Sequence, residues 1–554
     1  MEKRALIAFV LSMAVFVAWS YLFSPTRPEQ TEAPTQTTGE TDKEQARPQA
    51  ETTTRTANGT PAEKATPIPQ PEQARDVTVR TDLYTAVFTE WGGRLKSLTL
   101  NKYRTTNTPD SPAKELVYVA SMADLPLAVY LNNRPQADLK QGIFKTDKVE
   151  LDLRGDGRNG TIEMTCDTSN GLRVVRRYTF TPDSYLIGLK VSLINHTGAA
   201  IEDNLVLEMA SDPITRKERY AGFAAWLDQK LLEIKPKDLE DEMAKLKKDT
   251  YRLNWAGYQD QYFLAAVLPG DQEHTRVTAA PMDNQGVRVG FVSTAFNIPA
   301  EGKRSIDYQV FYGPKDYKVL KTMNNELDRS IYLGWFDILS KPLLIFMTWL
   351  HQYIGNYGVV IIIVTILIKI LFWPLTAKSY KSMKGMQKLQ PKIMKLREKY
   401  KDDKEAMNRE MMQLYKAFKV NPLGGCLPMV IQIPVFIALY RLLDYSLELR
   451  HAPFWLWIND LSTPDRLFDL GFKLPLMDPP TGIPVLTLLM GASMFITQKM
   501  TPTPGDPTQA KIMMFMPIFF TFIFINFPAG LVLYWLVNNI LSIGQQYYIN
   551  KSPS

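Results

Sequence analysis

The run at residues 357–376, YGVVIIIVTILIKILFWPLT, decides how the rest of the chain is read. It is long and apolar enough to cross a bilayer, since a helix needs about 20 predominantly apolar residues to span the hydrocarbon core. Yet it carries one lysine, Lys369. A cation near the centre of such a helix costs about 2.5 to 3.5 kcal/mol on insertion scales, so something should compensate it. Two readings answer that cost. Lys369 lies about two helical turns from Thr376, and its stem can snorkel toward the headgroups. Alternatively it faces a wet cavity inside a helical bundle, with Thr365 one turn away on the same face. The second reading makes the stronger expectation and the neighbouring segments bear on it.

On its carboxyl side the chain turns basic. Residues 377–420 hold thirteen Lys and Arg, among them Lys378, Lys381, Lys384 and Lys388, against five Asp and Glu, a surplus of eight. The whole chain carries only +7. Short loops rich in Lys and Arg stay in the cytoplasm, so the lysine-bearing span runs inward. Apolar side chains recur at helical spacing: Met383, Met386, Leu389, Ile393 and Leu396, then Met407, Met411, Leu414 and Phe418, with the polar Lys401-Asp402-Asp403 between them. That pattern predicts an antiparallel helical hairpin. It is either a solvated topology signal or a docking arm for ribosomal RNA, anionic lipid or a nascent chain, because methionine-rich faces adapt to varied apolar partners.

Further on, residues 423–443 return outward and contain Pro428, Gln432 and Pro434, followed by an outer loop at 444–482 with Phe454, Trp455 and Trp457. Two short spans follow, 484–498 inward and 512–527 outward, joined by a cytoplasmic loop at 499–511. After a turn at Pro528-Ala529-Gly530 the last span, 531–548, runs inward and leaves the tail 549–554 in the cytoplasm. About 16 residues give a helix of roughly 24 Å against a hydrocarbon core of about 30 Å. The two short spans therefore thin the bilayer. Asn538, Ser542 and Gln545 fall at i, i+4 and i+7 on the last span, one polar stripe on a membrane helix. Such residues often only knit helices together. Taken with Thr365, Lys369 and Gln432, they line one hydrated groove centred on a cation. A wet groove in a thin membrane lowers the cost of moving peptide across hydrocarbon, where unsatisfied backbone groups are expensive.

Toward the amino end, residues 1–24 begin MEKR and continue as an apolar run of about 19 residues, longer than a signal-peptide core and without a small-x-small cleavage site. They read as an uncleaved anchor, with Lys3 and Arg4 holding the amino terminus inside. Residues 25–75 are Thr, Pro, Gln, Glu and Ala with few large apolar residues, a flexible tether outside the cytoplasm. From 76 to 316 the period changes to two, as in KVELDLRG and YLIGLKVSLINHTG, with turn signals such as Gly92-Gly93 and Asn170-Gly171. This predicts a large antiparallel β-sandwich with one short helix at 239–248. Residues 327–355 mix apolar and polar positions around Pro342 and suit a helix lying on the outer membrane surface. Tyr332, Trp335 and Phe336 fit its interfacial belt, and Trp335, Phe336 and Leu339 are expected to brace the bundle.

The chain has 554 residues with 45% hydrophobic content, and its mean hydropathy of −0.16 signals mixed membrane and aqueous parts. Its two cysteines, Cys166 and Cys426, fall on opposite sides of the membrane and form no bridge. The sandwich has only His196 and His274, both in turn-like contexts, with no phosphate loop or metal-spaced cluster, so no cofactor is expected. Two rival classes exist. A secondary transporter would also place a lysine in the membrane, but the five spans show no inverted repeat and the basic hairpin has no role there. A membrane-anchored sugar-modifying enzyme leaves five spans unexplained.

The segments KILFWPLTAKSYKSM (369–383), MMQLYKAFKVNPLGGCLPMVIQIPVFIALY (411–440) and MPIFFTFIFINFPAGLVLYWLVNNILSIGQQ (516–546) resemble the YidC family of membrane protein insertases, and the order of segments resembles it over nearly the whole chain. The resemblance implies a polytopic α-helical membrane protein of the bacterial inner membrane, with six transmembrane helices, a five-helix insertase core and a periplasmic antiparallel β-sandwich. It implies non-enzymatic insertion of nascent integral membrane proteins, alone or with the Sec translocon, through a positively charged groove open to cytoplasm and lipid. It also implies contact with the ribosome through the hairpin and carboxyl-terminal tail, and with membrane lipids. Lys369 stands at the groove-charge position, where many relatives have arginine; lysine keeps the charge without the bidentate fork.

Overall fold

Strands occupy most of the chain from Asp76 to Pro314 because β-branched and aromatic residues recur there at every second position. Gly160–Asp167 and Leu172–Phe180 alternate buried and solvent-facing side chains along their length. The computed structural model describes residues 74–551 except 134–136, 213–221, 247–250, 283–285, 324, 335, 401–402, 419, 421–426, 473, 475–476, 479 and 502–506. The anchor expected at 1–24, nearly all of the tether, Trp335, Cys426 and the last residues of the tail lie outside these.

The largest sheet orders eight strands as Lys230–Ile234, Gly222–Leu227, Leu253–Gln259, Phe263–Pro269, Lys303–Pro314, Leu186–Asn195, Leu172–Phe180 and Gly160–Asp167. A five-stranded sheet faces it, and Phe88 of that sheet meets Tyr178 at 4.6 Å and Phe180 at 5.8 Å between ring centres. A four-stranded sheet and a two-stranded pair complete the described strands. The pairing is antiparallel apart from Asp76–Arg80 with Glu150–Asp152, which is parallel. Two single-layer helical pieces, α1 (Ala137–Gln141) and α2 (Leu239–Lys245), interrupt the strands.

Past the strands the period becomes 3.6. A short α3 (Tyr317–Thr322) is capped by Asp316, whose carboxylate accepts from the Lys318 and Val319 amides. Then α4 (Asp337–Ile354) follows a 3₁₀ turn at Leu327–Ser330 and ends where Gly355 takes a left-handed φ of 70°. It buries Ser340, Leu344 and Met347, one face at i, i+4 and i+7, and Ser340 Oγ donates to the Ala438 carbonyl at 3.2 Å. Leu339 is 40% exposed, so the bracing contact expected of it belongs instead to the stripe one position on. The His351 and Tyr357 rings stack at 3.8 Å across the Gly355 turn, joining α4 to the next helix.

That helix, α5 (Tyr357–Lys399), is 43 residues long and continues through Pro374 and Pro391. The apolar run and the first arm of the basic hairpin are thus one rod, about 65 Å at 1.5 Å per residue. Asn356 caps it, its side chain accepting from the Val359 amide. Among the described residues it is the one helix long and apolar enough to span a membrane; Val485–Met500 and Met513–Phe524 are shorter apolar stretches. The second arm is α6 (Lys404–Ala417), capped by Asp403. The rest of the helical part is α7 (Leu427–Tyr445), α8 (Val485–Met500), α9 (Pro507–Phe524) and α10 (Ala529–Lys551). Their common core includes Leu344, Ile361, Leu439, Leu442, Met490 and Val532. Trp535 fills the space between helices, its ring 4.7 Å from Phe436 and 5.0 Å from Phe524.

The strand region and the helices meet at the loop after α7. Gln261 Nε2 donates to the Asp444 carbonyl, Asn107 Nδ2 to the Asn459 carbonyl, and Arg450 to the carbonyls of Arg104 and Thr105 while lying over the Tyr262 and Phe263 rings. Beside it, burial pushes the Glu448 carboxyl up to about 7; Asp316 adds to this and Lys318 opposes it. A carboxyl whose folded pKa is raised stabilises the fold fully below its usual range, and that contribution is lost as pH rises through about 7. The melting temperature in mild detergent should therefore fall between pH 5 and pH 8, and Glu448→Gln should narrow that difference. An unchanged pH dependence in the variant would assign it to other groups.

Candidate functional site

Lys369 sits where α5 packs beside α10. The two helices run parallel: an added Cβ at Gly530 would lie 3.3 Å from Ile361 Cδ1, Lys369 meets Ser542, and Thr376 meets Gln545, so contacts advance together along both chains. Lys369 is half-buried and its Nζ donates to Ser542 Oγ at 2.7 Å. Ser542 in turn donates to the Asn538 carbonyl at 2.8 Å. Among the described residues no carboxylate pairs with Lys369. The cation is therefore held by one neutral hydroxyl, which stabilises it far less than a charged partner would.

The remaining expected groove residues divide. Asn538, Ser542 and Gln545 are buried along this seam, and Gln545 Nε2 donates to Thr376 Oγ1 at 2.7 Å. Thr365 is buried as well, but its hydroxyl donates to the Ile361 carbonyl of its own helix at 2.6 Å. Gln432 on α7 faces the Tyr534 hydroxyl. Tyr534 precedes Ser542 by eight residues on α10, so Gln432 belongs about 12 Å farther along the helix axis from the lysine. The structure thus sets Lys369, Ser542, Asn538 and Gln545 along one seam, with Thr365 bonded to its own helix and Gln432 farther along the axis.

A second polar seam was not anticipated. Asn539 Nδ2 donates to Ser493 Oγ at 3.0 Å, and Gln546 Nε2 to the Met500 carbonyl at 3.0 Å, joining α10 to α8. The signal lay in the doublets Asn538-Asn539 and Gln545-Gln546, seven residues apart, which give one helix two polar faces about 100° apart. Gln545 Oε1 and Gln546 Oε1 are buried without a hydrogen-bond partner among the described residues. Orphaned acceptors of this kind cost stability where they stay dry.

In the hairpin, Lys378, Lys381 and Lys388 are exposed, Lys384 and Met386 are half-buried, and Met383 is buried with Leu389 and Ile393. Lys392 lies 4.2 Å from the centre of the Phe418 ring, tying the two arms. Met394 and Met412 remain exposed. Among the described residues no group of three or more His, Cys, Asp and Glu is arranged to hold a metal ion.

Two families match the chain: residues 349–554 match the family described as 60Kd inner membrane protein, and residues 76–346 the YidC periplasmic domain. The membrane protein insertase YidC of Pelobacter propionicus is 44% identical over 563 residues, covering 100% of this chain and 99% of its own. That of Citrifermentans bemidjiense is 41% identical over 556 residues, with coverage of 100% and 99%. A solved structure described as an active YidC insertase with the first transmembrane domain resolved aligns over 86% of this chain and 92% of its own, at 18% identity and a TM-score of 0.36. With full-length identity above two-fifths to relatives of one name, the chain belongs to the YidC family of membrane protein insertases.

Proposed function

We propose that this protein inserts nascent integral membrane proteins into the bacterial inner membrane, and that the edge of the α5–α10 seam at Lys369 is where a client's polar segment is received. The observation that carries this reading is the lysine itself, half-buried, held by Ser542, and without a carboxylate among the described residues. A cation so poorly compensated attracts acidic residues of a passing segment, and attraction needs charge rather than bond geometry. Asn538, Gln545, Thr365 and Gln432 line the path on this reading. The chain crosses the membrane six times with both termini cytoplasmic, the strand region lies in the periplasm, and α4 rests on the outer surface with Ile345, Trp349 and Tyr353 toward lipid. Clients arrive alone or through the Sec translocon, and the hairpin with the carboxyl-terminal tail meets the ribosome and anionic lipid.

The test is reconstitution of the pure protein in liposomes with a single-span client synthesised in vitro, scored by protease protection. Protection no greater than in empty liposomes would overturn the reading. The hairpin should contribute recruitment rather than fold, because its lysines are solvated and its buried stripe is narrow. Deleting residues 383–416 with a short linker should leave the melting temperature of the remaining helices within a few degrees and lower insertion severalfold. Undiminished insertion at physiological salt would reduce the hairpin to a topology signal.

A further inference from the structure

Two non-glycine residues in the loop after α7 adopt left-handed backbone with a large apolar side chain pointing into open space. Leu456 has φ 59° and is 86% exposed; Phe468 has φ 58° and is 72% exposed. Left-handed positions at loop tips ordinarily fall to Gly, Asn or Asp, which avoid the Cβ clash and leave no apolar surface in water. Here both penalties are incurred at once, twice. Trp455 and Phe472, also exposed, enlarge the two tips.

Their anchoring shows where they stand. The first tip is fixed to the start of α5: Asn356 Nδ2 donates to the Phe454 carbonyl, and Gly358 packs on the Phe454 ring. The second is fixed to the turn between α9 and α10, where Pro464 pairs with Pro528 and Arg466 donates to the Ile525 carbonyl and to Asn526 Oδ1. Leu467 and Ile483 pair through both backbone bonds just before α8 begins. Both tips therefore ring the helix ends opposite the basic hairpin. The helices themselves carry exposed apolar side chains, such as Leu371, Leu488 and Phe522. Because α8, about 24 Å long, draws a hydrocarbon core of about 30 Å down toward its own length, apolar groups at its end stand where acyl chains meet headgroups.

The backbone flanking each tip is paired, which lowers the cost of bringing these segments to the membrane boundary. The Phe454 amide donates to Ile458 and the Ile458 amide to Trp455; the Leu470 amide donates to Thr481, and Thr481 Oγ1 to Phe472. Asp469, beside Phe468, uses its carboxylate to accept from the Gly471 amide and sets the depth at the headgroups rather than the core. We infer that Leu456 and Phe468 are wedges set into the outer leaflet, at the boundary of headgroups and acyl chains, and that lipid is the occupant of both tips. The inference rests on the membrane orientation proposed above.

The test places single cysteines at 456, 468, 371 and 158 of the full chain, labels them with an environment-sensitive fluorophore in phosphatidylethanolamine–phosphatidylglycerol vesicles, and subtracts the signal of the unsubstituted chain. Arg158, exposed in the strand region, reports water; Leu371, 71% exposed on α5, reports lipid. Labels at 456 and 468 should be quenched at least twofold more than that at 158 by lipid carrying a doxyl group near the headgroup, and at least twofold less by iodide. Iodide quenching equal to that at 158, at either tip, overturns the inference while a lipid-quenched 371 leaves the orientation standing. Shielding from both quenchers overturns it in favour of a protein partner or second copy. An iodide-quenched 371 overturns the orientation and the inference together.

Discussion

Replacing Lys369 with glutamate is expected to lower insertion of clients with acidic translocated tails about tenfold, while Lys369→Arg retains it. The substitution reverses the sign of the charge at the α5–α10 seam; Ser542 Oγ, which accepts from the lysine, would have to turn its one proton from the Asn538 carbonyl to meet a carboxylate. Folding is separated from function by normalising to folded protein, with Lys369→Arg as the charge-keeping control. Two unit charges 4 Å apart interact by about 4 kcal/mol near a protein surface, and a tenfold loss corresponds to about 1.4 kcal/mol, so even a partly screened encounter accounts for it. The measurement is protease-protected client per folded insertase, for tails with and without acidic residues. Equal insertion of both tails by Lys369→Glu would show that the lysine only snorkels.

The largest expected effect on stability lies at the amino-terminal end of the same helix. A Cβ placed on Gly358 would come within 2.0 Å of Phe454 Cδ2 and 2.5 Å of its Cγ, and an aromatic ring cannot yield as a flexible chain end does. Overpacking of this kind costs about 1 to 3 kcal/mol and sometimes more. Gly358→Ala should therefore lower the melting temperature by several degrees, and Phe454→Ala by a further amount of its own through lost packing. The double variant should melt no lower than Phe454→Ala alone, since the smaller residue makes the room that alanine needs. Additive losses would place the strain elsewhere.

Much of this architecture was legible because its signals are local. Alternation in Leu172–Phe180 and the apolar run at Tyr357 report burial patterns that hold wherever the segments end up. Element boundaries were less so: the sequence bounds the span at Thr376 and starts a separate hairpin arm after it, yet α5 runs on without a break through Pro391 to Lys399, as helices can where neighbours re-satisfy the freed carbonyl. At the site, the spacing of Asn538, Ser542 and Gln545 is a local signal, and all three are buried on α10; the lysine was visible as a lone charge. Thr365 was placed beside it by spacing alone, whereas a threonine in a helix can satisfy its hydroxyl on its own backbone, which periodicity does not reveal. Gln432 was grouped by polarity, and its depth depends on how α7 slides against α10. The second seam, Asn539 and Gln546 against α8, needed the packing order of the helices. Leu339 differs from Ser340 by a 100° rotation, too little for a mixed sequence around Pro342 to settle.

The joint between the strand region and the helices is made by side chains that grip main-chain oxygens: Gln261 on Asp444, Asn107 on Asn459, and Arg450 on Arg104 and Thr105. Every residue carries a carbonyl, so the gripped positions accept almost any side chain. The constrained side chains are the three donors, two on one side of the joint and one on the other, with the Tyr262 and Phe263 rings under Arg450 and Leu447, which is buried in the strand region's core. Elsewhere along the joint each half is free to drift in sequence without the reciprocal substitutions that an ion-paired interface demands. Chimaeras that exchange the strand region between relatives should dock whenever this small set is retained.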